Sequence, residues 1–109
     1  RVTTMGIIDN LLAMLERGQD NALLRYSLGN EYFKAGEWEQ AVLHATKATE
    51  QNSAYSAAWK LLGKSLVKAD RRGDAVAVLE RGIAVAEDQG DIQAAKEMRV
   101  FLKRARDGS

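Results

Sequence analysis

The sequence repeats itself at an interval of 34 residues, and this self-similarity limits the chain to folds built from stacked copies of one unit. The repeat consists of two units of equal length, residues 22–55 and 56–89. The matching pairs are Leu28-Gly29 with Leu62-Gly63, Lys34-Ala35 with Lys68-Ala69, and Ala41-Val42 with Ala75-Val76. Because one such unit cannot bury its apolar face alone, we expect the units to pack together and to need capping elements at both ends.

Apolar residues recur along the chain with the period of an amphipathic helix, and no segment alternates as a half-buried strand does. The pattern predicts about six helices: an N-terminal flanking helix over 5–17, two helices in each unit, and a C-terminal capping helix over 91–107. Nine glycines and no proline suit an all-α chain, because proline would interrupt helices whereas glycine ends them. We therefore predict a single all-α domain over residues 1–109.

Polar residues and glycines mark where the helices begin and end. Asp20, Ser53 and Asp91 each precede a periodic apolar segment, so they are the predicted N-caps of the second, fourth and sixth helices. Gly36 and Gly90 follow such segments and are predicted to end the second and fifth helices.

Large and small residues recur at fixed spacing within each unit. The second unit contains Trp59-x2-Leu62-Gly63-x2-Leu66, followed by Ala75-x3-Leu79. The first unit contains Arg25-x2-Leu28-Gly29-x2-Tyr32, followed by Ala41-x3-Ala45. At these positions the chain resembles the tetratricopeptide repeat family, whose unit reads W-x2-L-G-x2-Y, then A-x3-F, then P. The resemblance implies an α-solenoid of antiparallel helix pairs, in which Gly29 and Gly63 let the paired helices approach closely.

Several positions depart from the family pattern. Ser53 and Glu87 stand where the closing proline is expected. Arg25 stands at the usual tryptophan, so we expect its stem to lie on apolar surface or its guanidinium to meet a carboxylate. Gly82 replaces an alanine, which costs about 1 kcal/mol of helix propensity. Trp59 keeps the large residue and is the expected anchor between the two repeats.

The residue inventory leaves little room for catalysis. The absence of cysteine excludes disulfides, thiolate metal sites and cysteine nucleophiles. His44 is the only histidine and has no second ligand nearby, so we expect a semi-exposed structural role. The sequence contains no GxGxxG, GxxxxGK[ST], HExxH or GxSxG motif. It therefore predicts no catalytic, cofactor-binding or metal-binding residue, and the protein is expected not to be an enzyme.

Charge and hydropathy do not favour nucleic acid or membrane as a partner. Sixteen Lys and Arg residues against fifteen Asp and Glu residues give a net charge of +1. A basic cluster on the last predicted helix is diluted by Glu97 and Asp107, and cations in a final turn suit the helix dipole. That cluster comprises Lys96, Arg99, Lys103, Arg104 and Arg106. No apolar run is long enough to span a membrane, and a cytoplasmic location is the default expectation.

A second apolar stripe runs along the helix that follows Asp20, beside the stripe of Leu24, Leu28 and Tyr32. A helix that is apolar on two faces either packs between neighbours or lines a groove, and both interpretations stay open for Tyr26 and Phe33. The resemblance implies that these first-helix positions line a concave ligand surface. The candidate peptide-binding residues in the two repeats are then Leu23, Tyr26, Asn30, Phe33, Lys34, Lys60, Lys64, Val67 and Lys68.

These residues favour a protein interaction module, an adaptor or scaffold that binds a peptide segment. Lys60, Lys64 and Lys68 recur at four-residue spacing, and such repulsion needs a compensating gain, which carboxylates of a bound segment would supply. Asn30, Lys60 and Lys64 also resemble part of the carboxylate clamp with which some family members bind acidic C-terminal tails of chaperones. The competing prediction is a structural or homodimeric domain closed through the Tyr26/Phe33 face or through Leu43.

Overall fold

The computed structural model describes residues 4–108 of the chain, with side chains described from Gly6 onward. Within that range the chain forms six α-helices and no strand. They are α1 (Thr4–Glu16), α2 (Ala22–Lys34), α3 (Trp38–Gln51), α4 (Ser56–Lys68), α5 (Arg72–Asp88) and α6 (Ile92–Asp107). The predicted all-α fold is confirmed. The N-terminal flanking helix and the last helix both begin and end within one residue of their predicted bounds.

The helices form a solenoid of antiparallel neighbours, because each connection is only three to five residues long. α2 packs against α3 within residues 22–55, and α4 packs against α5 within residues 56–89. α4 also lies between α2 and α6, so these three helices stand side by side on one face of the solenoid. In the described part of the chain α1 packs on α2 alone, whereas α6 packs on both α4 and α5.

Only one of the three predicted N-caps is correct. Asp91 caps α6, because its Oδ1 accepts a hydrogen bond from the backbone N–H of Ala94 at 3.1 Å. α2 is capped by Asn21, whose Oδ1 accepts from the Leu24 N–H at 2.9 Å, because Asp20 is engaged elsewhere. α4 begins three residues after Ser53, and its N-cap residue, Tyr55, makes no side-chain capping hydrogen bond.

Trp59, the expected anchor between the two repeats, is buried in α4 beside Gly82 of α5. Its side chain is only 8% exposed, and its indole N–H donates a hydrogen bond to the carbonyl of Ser53 at 2.9 Å. Ser53 therefore binds the Trp59 side chain through its backbone carbonyl and does not cap α4 as predicted. The Arg81 guanidinium lies 5.3 Å from the centroid of the Trp59 ring and covers its outer face.

Glycines sit where the helices approach most closely. A Cβ added at Gly63 would overlap the Leu79 side chain, so glycine is needed for the α4/α5 contact, as predicted. At Gly82 on α5, a Cβ would lie 2.6 Å from Met98 Sδ and 2.9 Å from Trp59 Cβ. Gly82 therefore does more than cost helix propensity, because it lets α4, α5 and α6 meet at one point.

We predict that Gly82→Ala destabilises the protein although alanine is the better helix former. Overpacking against Trp59 and Met98 costs about 1–3 kcal/mol, which outweighs a propensity gain of up to about 1 kcal/mol. Gly73→Ala is the matched control on the same helix, because a Cβ there meets nothing within 4 Å. Urea unfolding followed by far-ultraviolet circular dichroism measures both free energies of unfolding. A Gly82→Ala protein as stable as Gly73→Ala would show that the three helices are not close-packed there.

Arg25, at the usual tryptophan position, organises a polar cluster in the first repeat. Its guanidinium donates two hydrogen bonds of 2.8 Å to the Asp20 carboxylate, so of the two expected environments it meets a carboxylate. Gln51 donates to Asp20 Oδ1 at 2.8 Å, and Arg25 Nη1 lies 3.1 Å from His44 Nδ1. This engagement explains why Asp20 does not cap α2.

His44 is buried rather than semi-exposed, at 4% exposure. The Tyr32 ring stacks on the imidazole at a centroid distance of 5.5 Å, and Arg25 covers its Nδ1 edge. Because a guanidinium can only donate, Nδ1 is the acceptor and the imidazole is neutral. Burial and the Arg25 charge both hold the pKa of His44 below its ordinary value of 6.5.

The lowered pKa of His44 predicts that stability falls as the pH drops below 6.5. In that range the unfolded chain binds a proton that the folded protein does not, so the free energy of unfolding decreases toward acid. His44→Gln should flatten this dependence between about pH 7 and pH 5.5. Urea unfolding at several pH values gives the slope, which is independent of any constant loss of stability in the variant. Parallel slopes for the two proteins would contradict the assignment.

Candidate ligand-binding groove

The inner faces of α2, α4 and α6 enclose a continuous depression. One part, of about 440 Å³, is lined by Phe33, Lys64, Val67, Lys68, Phe101 and Arg104. An adjoining part, of about 320 Å³, is lined by Lys60, Lys64, Glu97, Val100, Phe101 and Arg104. The two parts share Lys64, Phe101 and Arg104, and we call their combined surface the α2/α4/α6 groove.

The floor of the groove is apolar and comes from three helices. Phe33 on α2, Val67 on α4 and Phe101 on α6 are each half-buried and packed against the core. The Phe33 ring is further held by an edge-to-face contact with Trp38, with centroids 5.1 Å apart. The floor therefore offers apolar contact area that is fixed in place before any ligand arrives.

Three cations rim this floor, and each lies over an aromatic ring. Lys64 Nζ is 4.6 Å from the Phe33 centroid, and Lys68 Nζ is 5.7 Å from the Trp38 centroid. The Arg104 guanidinium is 5.7 Å from the Phe101 centroid. Among the residues with described side chains, no carboxylate forms an ion pair with any of these three. Their charges are thus oriented by the rings but not neutralised.

Lys64 is partly buried, whereas Lys68 and Arg104 are exposed. Burial is the main reason that its pKa is lowered, repulsion from Lys60 adds to the shift, and Glu97 partly opposes it. A partly buried ammonium beside another cation gains more from an additional carboxylate than a fully hydrated one.

Lys60 already has its carboxylate. Its Nζ lies 2.5 Å from Glu97 Oε1, and Gln93 donates to Glu97 Oε2 at 2.9 Å. The hydrogen bond from Gln93 has the largest effect on the pKa of Glu97, and together with that from Lys60 it holds this pKa below its ordinary value. Glu97 therefore offsets part of the repulsion among the lysines from within the chain.

The predicted site residues divide into two groups. Phe33, Lys60, Lys64, Val67 and Lys68 come together in the groove. The remaining four do not line it: Leu23, Tyr26, Asn30 and Lys34. Leu23 is exposed, and Tyr26 packs its ring on Tyr55 at a centroid distance of 5.2 Å. Lys34 pairs with Glu31 at 3.1 Å.

Sequence analysis missed the contribution of α6, which it treated as a cap. Glu97, Val100, Phe101 and Arg104 all lie on α6 and form one wall of the groove. The N-cap positions of α2 and α4 are 34 residues apart, but those of α4 and α6 are 36 apart. When the sequence is compared with itself at an interval of 34 residues, α6 is therefore out of register with α4. A comparison that allowed for the longer α5 would have aligned groove-lining residues of α6 with those of α4.

Comparison with known proteins decides the family. A family model described as tetratricopeptide repeat matches residues 32–98. The chain belongs to the tetratricopeptide repeat family. It is 47% identical over 98 residues to TPR repeat-containing protein PA0015 of Pseudomonas aeruginosa. The aligned region covers 90% of this chain and 93% of that relative.

Solved structures of similar chains share the architecture. Protein BPP2914 from Bordetella parapertussis superposes with a TM-score of 0.80 at 40% identity, over 94% of this chain and 89% of the other. A tetratricopeptide repeat domain protein from Salinibacter ruber gives a TM-score of 0.73 at 25% identity, over 82% and 100% of the two chains. Members of the family generally mediate protein–protein interactions and are generally not enzymes. Within residues 4–108, no helix is both long and apolar enough to cross a bilayer.

Proposed function

We propose that this tetratricopeptide repeat protein binds a carboxylate-bearing peptide segment of a cytoplasmic partner in the α2/α4/α6 groove. The proposal rests on the arrangement of Lys64, Lys68 and Arg104 around an apolar floor, with each cation placed over an aromatic ring. Carboxylates of the segment would pair with these cations, and its apolar side chains would cover Phe33 and Phe101.

The chemistry of the rim favours acidic segments over neutral ones. A hydrogen bond between a carboxylate and an ammonium or guanidinium contributes about 1.5–3 kcal/mol where it is shielded from water. Lys64 meets that condition best, because its ammonium is partly buried and faces Lys60. A longer segment would extend along α2 to Asn30 and Tyr26, which lie one and two helical turns before Phe33, and on to the exposed Leu23.

Self-association is the competing function. Leu43 is 48% exposed beside Val42 and Thr46 on α3, a helix that contributes no residue to the groove lining. Two copies joined through this patch would need no peptide ligand. Sedimentation velocity at increasing concentration separates the two functions, because the peptide-binding protein stays monomeric and the self-associating one does not.

We expect Lys64→Gln combined with Lys68→Gln to weaken binding of acidic peptides at least tenfold, or about 1.4 kcal/mol. The peptides come from selection of a display library of short random sequences on the native protein. They should be enriched in Asp and Glu alternating with apolar residues, and their affinity should fall as salt rises. Fluorescence anisotropy measures the dissociation constants, and circular dichroism checks that helicity is unchanged.

Lys47→Gln combined with Lys96→Gln is the matched control. Both lysines are exposed and lie outside the groove. Their substitution removes the same total charge as the groove variant. The proposal requires that this control binds like the native protein. Selected peptides that lack carboxylates, or that lose equal affinity to both double variants, would place the binding site elsewhere.

A further inference from the structure

The groove contains a carboxylate of its own. Glu97 is the one acidic residue among the side chains that line the two parts of the groove, where it faces Lys60 and Lys64. Lys60 on α4 reaches it across the helix boundary at 2.5 Å, and Gln93 on α6 holds its second oxygen at 2.9 Å. Both carboxylate oxygens therefore have hydrogen-bond donors, as those of a bound ligand would.

We infer that Glu97 is an internal competitor for the groove: its carboxylate occupies the position at Lys60 that an acidic ligand side chain takes on binding. The inference rests on the proposed function and adds a specificity-determining residue to it. Glu97 also attracts Lys64, so it screens two cations of the groove at once.

The pair can open without loss of the fold. The Lys60 side chain is 27% exposed and that of Glu97 is 39% exposed, and ion pairs in such surroundings contribute little to stability. α6 is held by other contacts as well, since Asp91 accepts a hydrogen bond from Ser56 at 2.7 Å and Met98 is fully buried. Displacement of Glu97 thus changes the groove and leaves the position of α6 unaltered.

The competition sets a preference among ligands. A ligand with one carboxylate exchanges one ion pair for another at Lys60 and gains little. A ligand with several carboxylates displaces Glu97 and also pairs with Lys64, Lys68 or Arg104, which form no ion pair with any carboxylate among the described side chains. The groove therefore selects segments that carry more than one acidic residue.

Glu97→Gln tests the inference, with Glu87→Gln as the matched control. Glu87 on α5 pairs with Arg99 on α6 outside the groove, so the control removes an equal charge and an ion pair that also joins α6 to a neighbouring helix. The probe is an acidic peptide from the display selection, together with a copy in which every Glu is Gln and every Asp is Asn. We expect Glu97→Gln to bind the acidic peptide at least threefold tighter than the native protein and the control do. Equal affinity of the two variants overturns the inference, while the proposed function stands if the neutral copy still binds weakly.

A second readout needs no ligand. Removal of the Glu97 charge should lower the pKa of the Lys64 ammonium further, which heteronuclear NMR of lysine side chains follows directly. An unchanged Lys64 pKa would show that Glu97 does not act on the groove cations and would overturn the inference whatever the peptides do. Absence of any preference for the acidic peptide over its neutral copy in all three proteins would instead remove the proposed function, and the competitor role with it.

Discussion

The close contact of α4, α5 and α6 at Gly82 is the constraint on which the rest of the structure depends. Trp59 and Met98 enter the space that a Cβ at this position would take, so α6 can lie directly against α4. That placement is what brings Phe101 and Arg104 opposite Lys64 and Lys68. A two-repeat chain with its last helix further away would have a flat lysine-bearing surface instead of a groove, so a packing requirement in the core fixes the geometry of the candidate site.

Chemically different side chains occupy the same position in the two repeats. The second repeat uses Trp59, which is buried and donates one hydrogen bond to a loop carbonyl. The first repeat uses Arg25, which joins Asp20 and His44 in a charged cluster that depends on the protonation of one imidazole. Stability of the first repeat is therefore coupled to pH through His44, whereas the floor of the groove, which lies largely on the second repeat and α6, is apolar.

Much of the fold could be predicted from the sequence, because helix periodicity, glycine positions and the 34-residue repeat are local or regular signals. The close approach at Gly63 followed from the same signals and is confirmed, and Trp59, the expected anchor, is buried. The remaining features depend on contacts between residues far apart in sequence. The partner of Lys60 is 37 residues away, and a longer α5 moves α6 out of the repeat register. Asp20 does not cap α2 because its carboxylate binds Arg25. No pattern in the sequence distinguishes this ion pair from a capping hydrogen bond.

The central claim is that a ligand with carboxylates lies across α2, α4 and α6. Titration of the nitrogen-15-labelled protein with an acidic peptide, followed by amide and side-chain chemical shifts, tests it most directly. The largest shifts should occur at Lys64, Lys68, Phe101 and Arg104, and Glu97 and Lys60 should shift with them. Shifts confined to the outer face of α3 around Leu43, with the groove resonances unmoved, would contradict it.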